Sequence, residues 1–170
     1  TAALEMAAVL CGIMPGDEII MPSFTFVSTA NAFVLRGAVP VFVDIDVKTH
    51  NINVDLVKNA ITEKTKAIML AHSLGNPFDV IAIKKICEEY KLFLIEDCCD
   101  AFGATVIQDD GSEKGVGTFG DLATLSFYPA HHITMGEGGA VLTNRMNFAR
   151  ICESYRDWGR DCYCEPGKDN

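Results

Sequence analysis

Short, largely apolar runs recur along this chain, and they constrain its fold more than any other feature. Residues 18–21, 39–43, 66–71, 92–95, 122–127 and 140–143 each read as a strand. Helical patterns lie around them, at residues 1–13, 30–35, 54–61, 80–90 and 145–155. A strand with one wet face alternates apolar and polar side chains. These runs do not alternate, so both of their faces are expected to be covered. Strands of that kind, separated by helices, make an α/β fold: a mostly parallel mixed sheet with helices on both faces. Residues 104–107 give one more short strand, followed by a polar loop at 108–117 around Asp109-Asp110-Gly111.

With 170 residues the chain is long enough for one core of ordinary size. Its net charge of −9 argues against a nucleic-acid partner, because a phosphate-binding surface needs clustered Lys and Arg. A nucleotide-linked small molecule remains compatible, since a few local amides and cations suffice to hold it. No apolar run approaches the roughly 20 residues of a membrane span, and no secretory leader is evident. The seven cysteines lack the spacing of a disulfide framework, which suits a reducing cytoplasm. Both ends read as cut: residues 1–13 are already helical, and residues 166–170 form a polar turn without a closing element.

In a parallel sheet covered on both faces, chemistry collects on the loops that leave the strands' C-terminal ends. Four such places stand out. Ser23-Phe24-Thr25-Phe26-Val27-Ser28-Thr29 follows the first strand. His72-Ser73-Leu74-Gly75-Asn76-Pro77 follows the third. Glu96-Asp97-Cys98-Cys99-Asp100 ends the fourth, where a buried acid is costly without a partner. The densest is Ser126-Phe127-Tyr128-Pro129-Ala130-His131-His132-Ile133-Thr134-Met135-Gly136-Glu137-Gly138-Gly139-Ala140, which joins a hydroxyl, two imidazoles and a glycine turn. From the residues alone each place has a plain alternative. Phe26 reads equally as core, His72 as a packed loop histidine, and the 126–140 stretch as a surface loop between strands. The acidic Asp44-Ile45-Asp46 after the second strand reads equally as a turn.

The 126–140 stretch resembles the active-site strand of the sugar aminotransferase (DegT/DnrJ/EryC1/StrS) family of pyridoxal-phosphate enzymes. In that family a Ser-Phe pair is followed by Lys-Asn and a Gly-Glu-Gly-Gly turn, and the lysine forms the Schiff base with the cofactor. Here His131 stands at the lysine's place. That exchange marks the branch of 3-dehydrases, which remove the C3 hydroxyl of a nucleotide-linked 4-keto-6-deoxyhexose. The 72–77 stretch and Tyr155-Arg156-Asp157-Trp158-Gly159-Arg160-Asp161-Cys162-Tyr163-Cys164 also resemble that branch. Residues 1–45 are more similar to the aminotransferase branch.

The resemblance implies a fold-type-I PLP-dependent transferase large domain. Residues 1–170 would be part of that cofactor-binding domain, without the family's C-terminal small domain. It implies pyridoxamine 5'-phosphate or pyridoxal 5'-phosphate as cofactor. Thr1 and Ala2 match the end of the family's phosphate-holding helix start, where free N–H groups favour an anion. Phe26 would lie on the cofactor ring, Asp97 would hold the pyridinium nitrogen, and Asp100 and Ser126 would complete the cofactor's contacts. His131 would be the catalytic base, since an imidazole titrates near neutrality. His72 and His132 would meet the substrate. Without a lysine the cofactor would be held non-covalently, which favours dehydration over transamination.

Cys162 and Cys164 would hold a 2Fe–2S cluster fed by a reductase partner. However, Ala104 occupies one expected ligand position, and only Cys98 or Cys99 could substitute. The substrate would be CDP-linked, the product destined for surface polysaccharide, and the enzyme a homodimer. Two rivals stay open: a PLP-dependent nucleotide-sugar 4-aminotransferase, and a truncated module of the same fold without turnover.

Overall fold

The computed structural model describes residues 1–160. Five strands run parallel: β1 (Glu18–Pro22), β2 (Val39–Val43), β3 (Thr65–Ala71), β4 (Phe93–Asp97) and β7 (Leu122–Ser126). The last strand, β8 (Gly139–Leu142), is antiparallel to β7. They form one six-stranded sheet in the order β2-β1-β3-β4-β7-β8. Between β4 and β7 the chain makes a separate antiparallel hairpin, β5 (Thr105–Ile107) with β6 (Glu113–Gly115). The described residues also form five α-helices, α1 (Ala2–Leu10), α2 (Val27–Val34), α3 (Val54–Ala60), α4 (Val80–Tyr90) and α5 (Met146–Arg156), and one 3-10 turn at Ser73–Gly75.

Alternate strand residues feed two cores, which is why the runs are apolar throughout. Ile19, Met21, Ala67, Met69, Ile95 and Leu122 pack with Leu4, Ala7 and Ala8 of α1, Phe33 of α2 and Phe148 of α5. Their neighbours Ile20, Ile68, Leu70 and Leu94 pack with Val57 of α3 and with Val80, Ile83 and Ile86 of α4. The expected mixed sheet with helices on both faces is therefore what forms. Local signals set the helix starts. Asp79 caps α4 by accepting the Ala82 N–H at 3.0 Å, and Asn53 caps α3 by accepting that of Asp55 at 3.1 Å.

Most boundaries shift by a residue or two, and three differences from the sequence reading are larger. Helix α1 stops at Leu10, because Gly12 turns left-handed at φ 63° and Ile13 is buried as part of the turn. Helix α2 begins at Val27, ahead of the expected residue 30, with extended Phe26 as its N-cap. The polar 108–117 loop contains β6, whose Glu-Lys-Gly sequence carries no apolar signal of a strand.

The turn at residues 117–121 is zipped onto the start of β4. Asp121 N–H donates to Leu94 O at 2.9 Å, and Leu94 N–H donates to the Asp121 carboxylate at 2.9 Å. Arg145 holds the other oxygen of that carboxylate at 2.5 Å. A Cβ on Gly120 would meet Leu94 O at 2.6 Å, so the backbones approach too closely for any side chain. Gly120→Ala should therefore destabilise the fold by about 2–3 kcal/mol, as overpacking against rigid backbone does. A urea titration should show a lower midpoint at unchanged slope; an unaltered midpoint would mean that the close approach does not matter.

Candidate active site

The loops that leave β1, β3, β4 and β7 emerge along one edge of the sheet, and helix α1 starts beside them. A Cβ on Gly139, which pairs with Ser126 across β7 and β8, would lie 3.9 Å from the Ala3 Cβ. Most of the nominated residues therefore meet at this edge. Thr1 is the N-cap of α1 and makes no side-chain cap; its Oγ1 lies 2.8 Å from Ser28 Oγ. Thr1 and Ala2 are exposed, so the first-turn amides of α1 are open to an anion. Ser126 ends β7, and its Oγ accepts the Tyr128 N–H at 3.3 Å. Phe26 is 68% exposed at the head of α2. A shallow cleft in this region is lined by Cys99, Phe102, Ser126, Phe127, His132 and Ile133.

Two acids end β4, and consecutive strand residues must point to opposite faces. Asp97 is buried, and its Oδ1 accepts the Cys99 N–H at 3.0 Å. Among the described residues no lysine or arginine pairs with it. A buried carboxylate without a cation is poised for one brought by a ligand. Asp100, one turn on, meets His131: its Oδ1 lies 3.1 Å from His131 Nδ1. A carboxylate only accepts, so Nδ1 carries the proton, and in the neutral ring Nε2 presents its lone pair. The His131 ring also stands edge-on to Tyr128, with centroids 6.5 Å apart.

Beneath this edge lies a group the sequence reading missed. Glu96 is completely buried. Its Oε1 accepts the N–H of Phe119 at 2.9 Å and of Gly120 at 2.6 Å. Its Oε2 accepts the Gly117 N–H at 2.8 Å and His72 Nε2 at 3.1 Å. The alternation of two acids on a buried strand was the available signal: if Asp97 faces one layer, Glu96 needs a partner in the other. His72 is fully buried too, and its ring stacks on Phe78 at 4.3 Å between centroids. Of the two readings that the sequence left open for His72, this burial favours the packed loop histidine over the substrate contact. His72, Glu96 and Cys98 bring potential ligand atoms within 4.8 Å of one another. The Glu96 oxygens are already taken, and burial pushes the Cys98 thiol well up, so the trio is a packed polar node.

The cluster ligands Cys162 and Cys164 lie outside the described residues. Ala104 offers no sulfur, and Cys98 and Cys99 are held as thiols, chiefly by burial and then by the neighbouring carboxylates. No observation among the described residues supports a 2Fe–2S cluster.

Residues 1–166 match the model of the DegT/DnrJ/EryC1/StrS aminotransferase family. The chain belongs to this family. It is 54% identical to the lipopolysaccharide biosynthesis protein RfbH of Salmonella typhimurium, over 93% of this chain and 35% of that protein. It is 56% identical to a dTDP-4-dehydro-2,6-dideoxy-D-glucose 3-dehydratase of Saccharopolyspora spinosa, over 93% of this chain and 33% of that protein. Among solved structures it superposes at a TM-score of 0.83 and 32% identity on a GDP-4-keto-6-deoxymannose-3-dehydratase with a trapped PLP–glutamate geminal diamine. That match covers 93% of this chain and 41% of the other. The chain thus spans about a third of the length of the curated relatives it matches. The family comprises PLP-dependent sugar-modifying enzymes, and the fold is that of the fold-type-I PLP aminotransferases.

Burial alone would push the Glu96 carboxyl up, but the His72 imidazole and the Gly120 and Gly117 amides outweigh it and hold it below its ordinary value of 4.5. A lowered carboxyl stabilises the fold above the unfolded-state value, and the contribution is lost as pH falls through the folded value. Stability measured by urea unfolding should therefore decline as pH drops below about 4.5. Glu96→Gln should cost about 3–5 kcal/mol at pH 7 and flatten that decline. An unchanged pH slope in the variant would contradict this.

Proposed function

We propose that this chain is part of the cofactor-binding large domain of a cytoplasmic enzyme that removes the C3 hydroxyl of a nucleotide-linked 4-keto-6-deoxyhexose. Its product would feed 3,6-dideoxyhexose and surface polysaccharide synthesis. The observation that carries this reading is the Asp100–His131 pair at the rim, where relatives of the aminotransferase type place a lysine. The loops after β1, β3, β4 and β7 contain no lysine at all among residues 23–26, 72–79, 98–104 and 127–138. The names of two relatives, both 3-dehydratases of nucleotide sugars, support the same reaction class.

The residues fit pyridoxamine or pyridoxal phosphate. Buried Asp97 has no lysine or arginine partner among the described residues and would take the protonated ring nitrogen. The exposed start of α1 at Thr1 and Ala2, with Ser126 beside it, would hold the phosphate, and Phe26 would cover a ring face. When bound, the group supplies an electron sink that makes a carbon–oxygen bond beside the sugar's carbonyl breakable. Asp100 holds the proton on His131 Nδ1 and so keeps Nε2 available. Nε2 accepts a carbon-bound proton and returns it to the departing C3 hydroxyl, which leaves as water. His132, exposed on the cleft, would face the substrate. The exposed Phe24, Phe26, Leu74, Phe102, Tyr128 and Ile133 around the rim support assembly as a homodimer.

The test uses the full-length protein with pyridoxamine phosphate and CDP-, dTDP- and GDP-linked 4-keto-6-deoxyhexoses. Loss of the C3 oxygen is expected, and His131→Asn should slow it by about 10²–10⁴-fold. Full dehydration in that variant would remove the base assignment. Formation of a 4-amino sugar with glutamate would favour the aminotransferase reading, and the absence of any cofactor absorbance would favour an inert module.

A further inference from the structure

The loop at residues 73–77 does not line the cleft and, among the described residues, makes no hydrogen bond or ion pair with the His131 side chain, yet it is built rigidly. Leu74 and Gly75 are both left-handed, at φ 54° and 85°. A left-handed leucine is uncommon and persists only where surrounding contacts impose it. Those contacts come from Asn51, itself buried in the turn after β2. Its Oδ1 accepts the Ser73 N–H at 3.3 Å, and its side-chain amide donates to Asn76 O at 3.1 Å. The Asn76 amide in turn donates to Thr49 O at 3.2 Å. At its near end the loop is tied to β4, where His72 N–H donates to Asp97 O at 3.1 Å.

The far side of this strut lies close to the backbone of the residue that holds His131. A Cβ on Gly75 would lie 3.0 Å from the Asp100 carbonyl oxygen. The Asp100 side chain is half exposed, and its His131 contact is its one ion pair among the described residues. Its position therefore depends on where its backbone is stopped. We propose that the 73–77 loop, clamped by Asn51 and abutting Asp100 through Gly75, is the positioning element that sets the Asp100–His131 pair. Gly75 and Asn51 are thus positioning residues for His131 without touching it. The inference rests on the reading of His131 given above, but the geometry can be tested apart from the reaction.

Gly75→Ala in the full-length protein should shift the Asp100 carbonyl by a few tenths of an ångström. The direct readout is the imidazole ¹⁵N shift of His131, assigned by its loss in His131→Asn. In the native protein it should report the tautomer protonated at Nδ1. In Gly75→Ala that preference should fall to the level of Asp100→Asn. Gly12→Ala is the control, because Gly12 is also left-handed yet has no atom within 4 Å of an added Cβ; it should leave the tautomer unchanged. In turnover, Gly75→Ala should lower kcat about tenfold with KM within about twofold. The Gly75→Ala/Asp100→Asn double variant should be no slower than Asp100→Asn alone, since both act on one pair. Asn51→Ser provides the same readouts if Gly75→Ala does not fold. A native tautomer in a folded Gly75→Ala or Asn51→Ser protein, or strictly additive losses in the double variant, would overturn the proposal. A shifted tautomer in a protein that never dehydrates the sugar would sustain the positioning and sink the reaction.

Discussion

A sheet covered on both faces leaves its polar side chains few places to go. They can sit at the strand ends or be fully paired inside, and this chain does both at the C-terminal end of β4. Residues 93–95 feed the two cores alternately, and the acids that follow must continue the alternation. Asp97 turns toward the layer of α1 and has no lysine or arginine partner among the described residues. Glu96 turns toward the other layer and is saturated by three backbone amides and an imidazole. The first acid is left open to a ligand, and the second anchors the turn that leads into β7.

That division of labour separates holding from acting. The Glu96–His72 node fixes residues 117–120 and hence the start of the strand that ends in Ser126. On the rim above, Asp100 is half exposed and His131 partly covered, so their 3.1 Å contact bears less desolvation than full burial would impose. An exposed pair of this kind contributes little to stability. The role proposed for it is orientation: in the neutral ring it favours the proton on Nδ1.

The apolar runs made the parallel sheet and the positions of its loops legible, because burial on both faces leaves a direct compositional trace. The likeness of residues 126–140 to a known active-site strand pointed to His131, Asp97 and the start of α1. What stayed hidden was held by backbone. The amides of Gly117, Phe119 and Gly120 carry no side-chain signal, so Glu96 had no visible partner and His72 stood open between a substrate contact and a packed loop histidine. The second strand of the β5–β6 hairpin was hidden for a similar reason, since Glu113, Lys114 and Gly115 carry no apolar signal and pair with β5 mainly through the main chain, beside one side-chain bond from Thr105 to Glu113. The Asp100–His131 contact joins residues 31 positions apart across two loops, a proximity that strand order creates and sequence spacing does not express. Gly75 was visible only as one glycine in a motif; the closeness of the Asp100 carbonyl explains why it is there.

The central claim is that an imidazole oriented by Asp100 occupies the place where relatives tether their cofactor through an amine. The most direct measurement is borohydride reduction of the full-length protein loaded with pyridoxal phosphate, followed by peptide mass spectrometry. The account predicts that the cofactor leaves with the denatured protein and that no lysine peptide carries its mass. A reduced cofactor–lysine adduct in stoichiometric yield would contradict it.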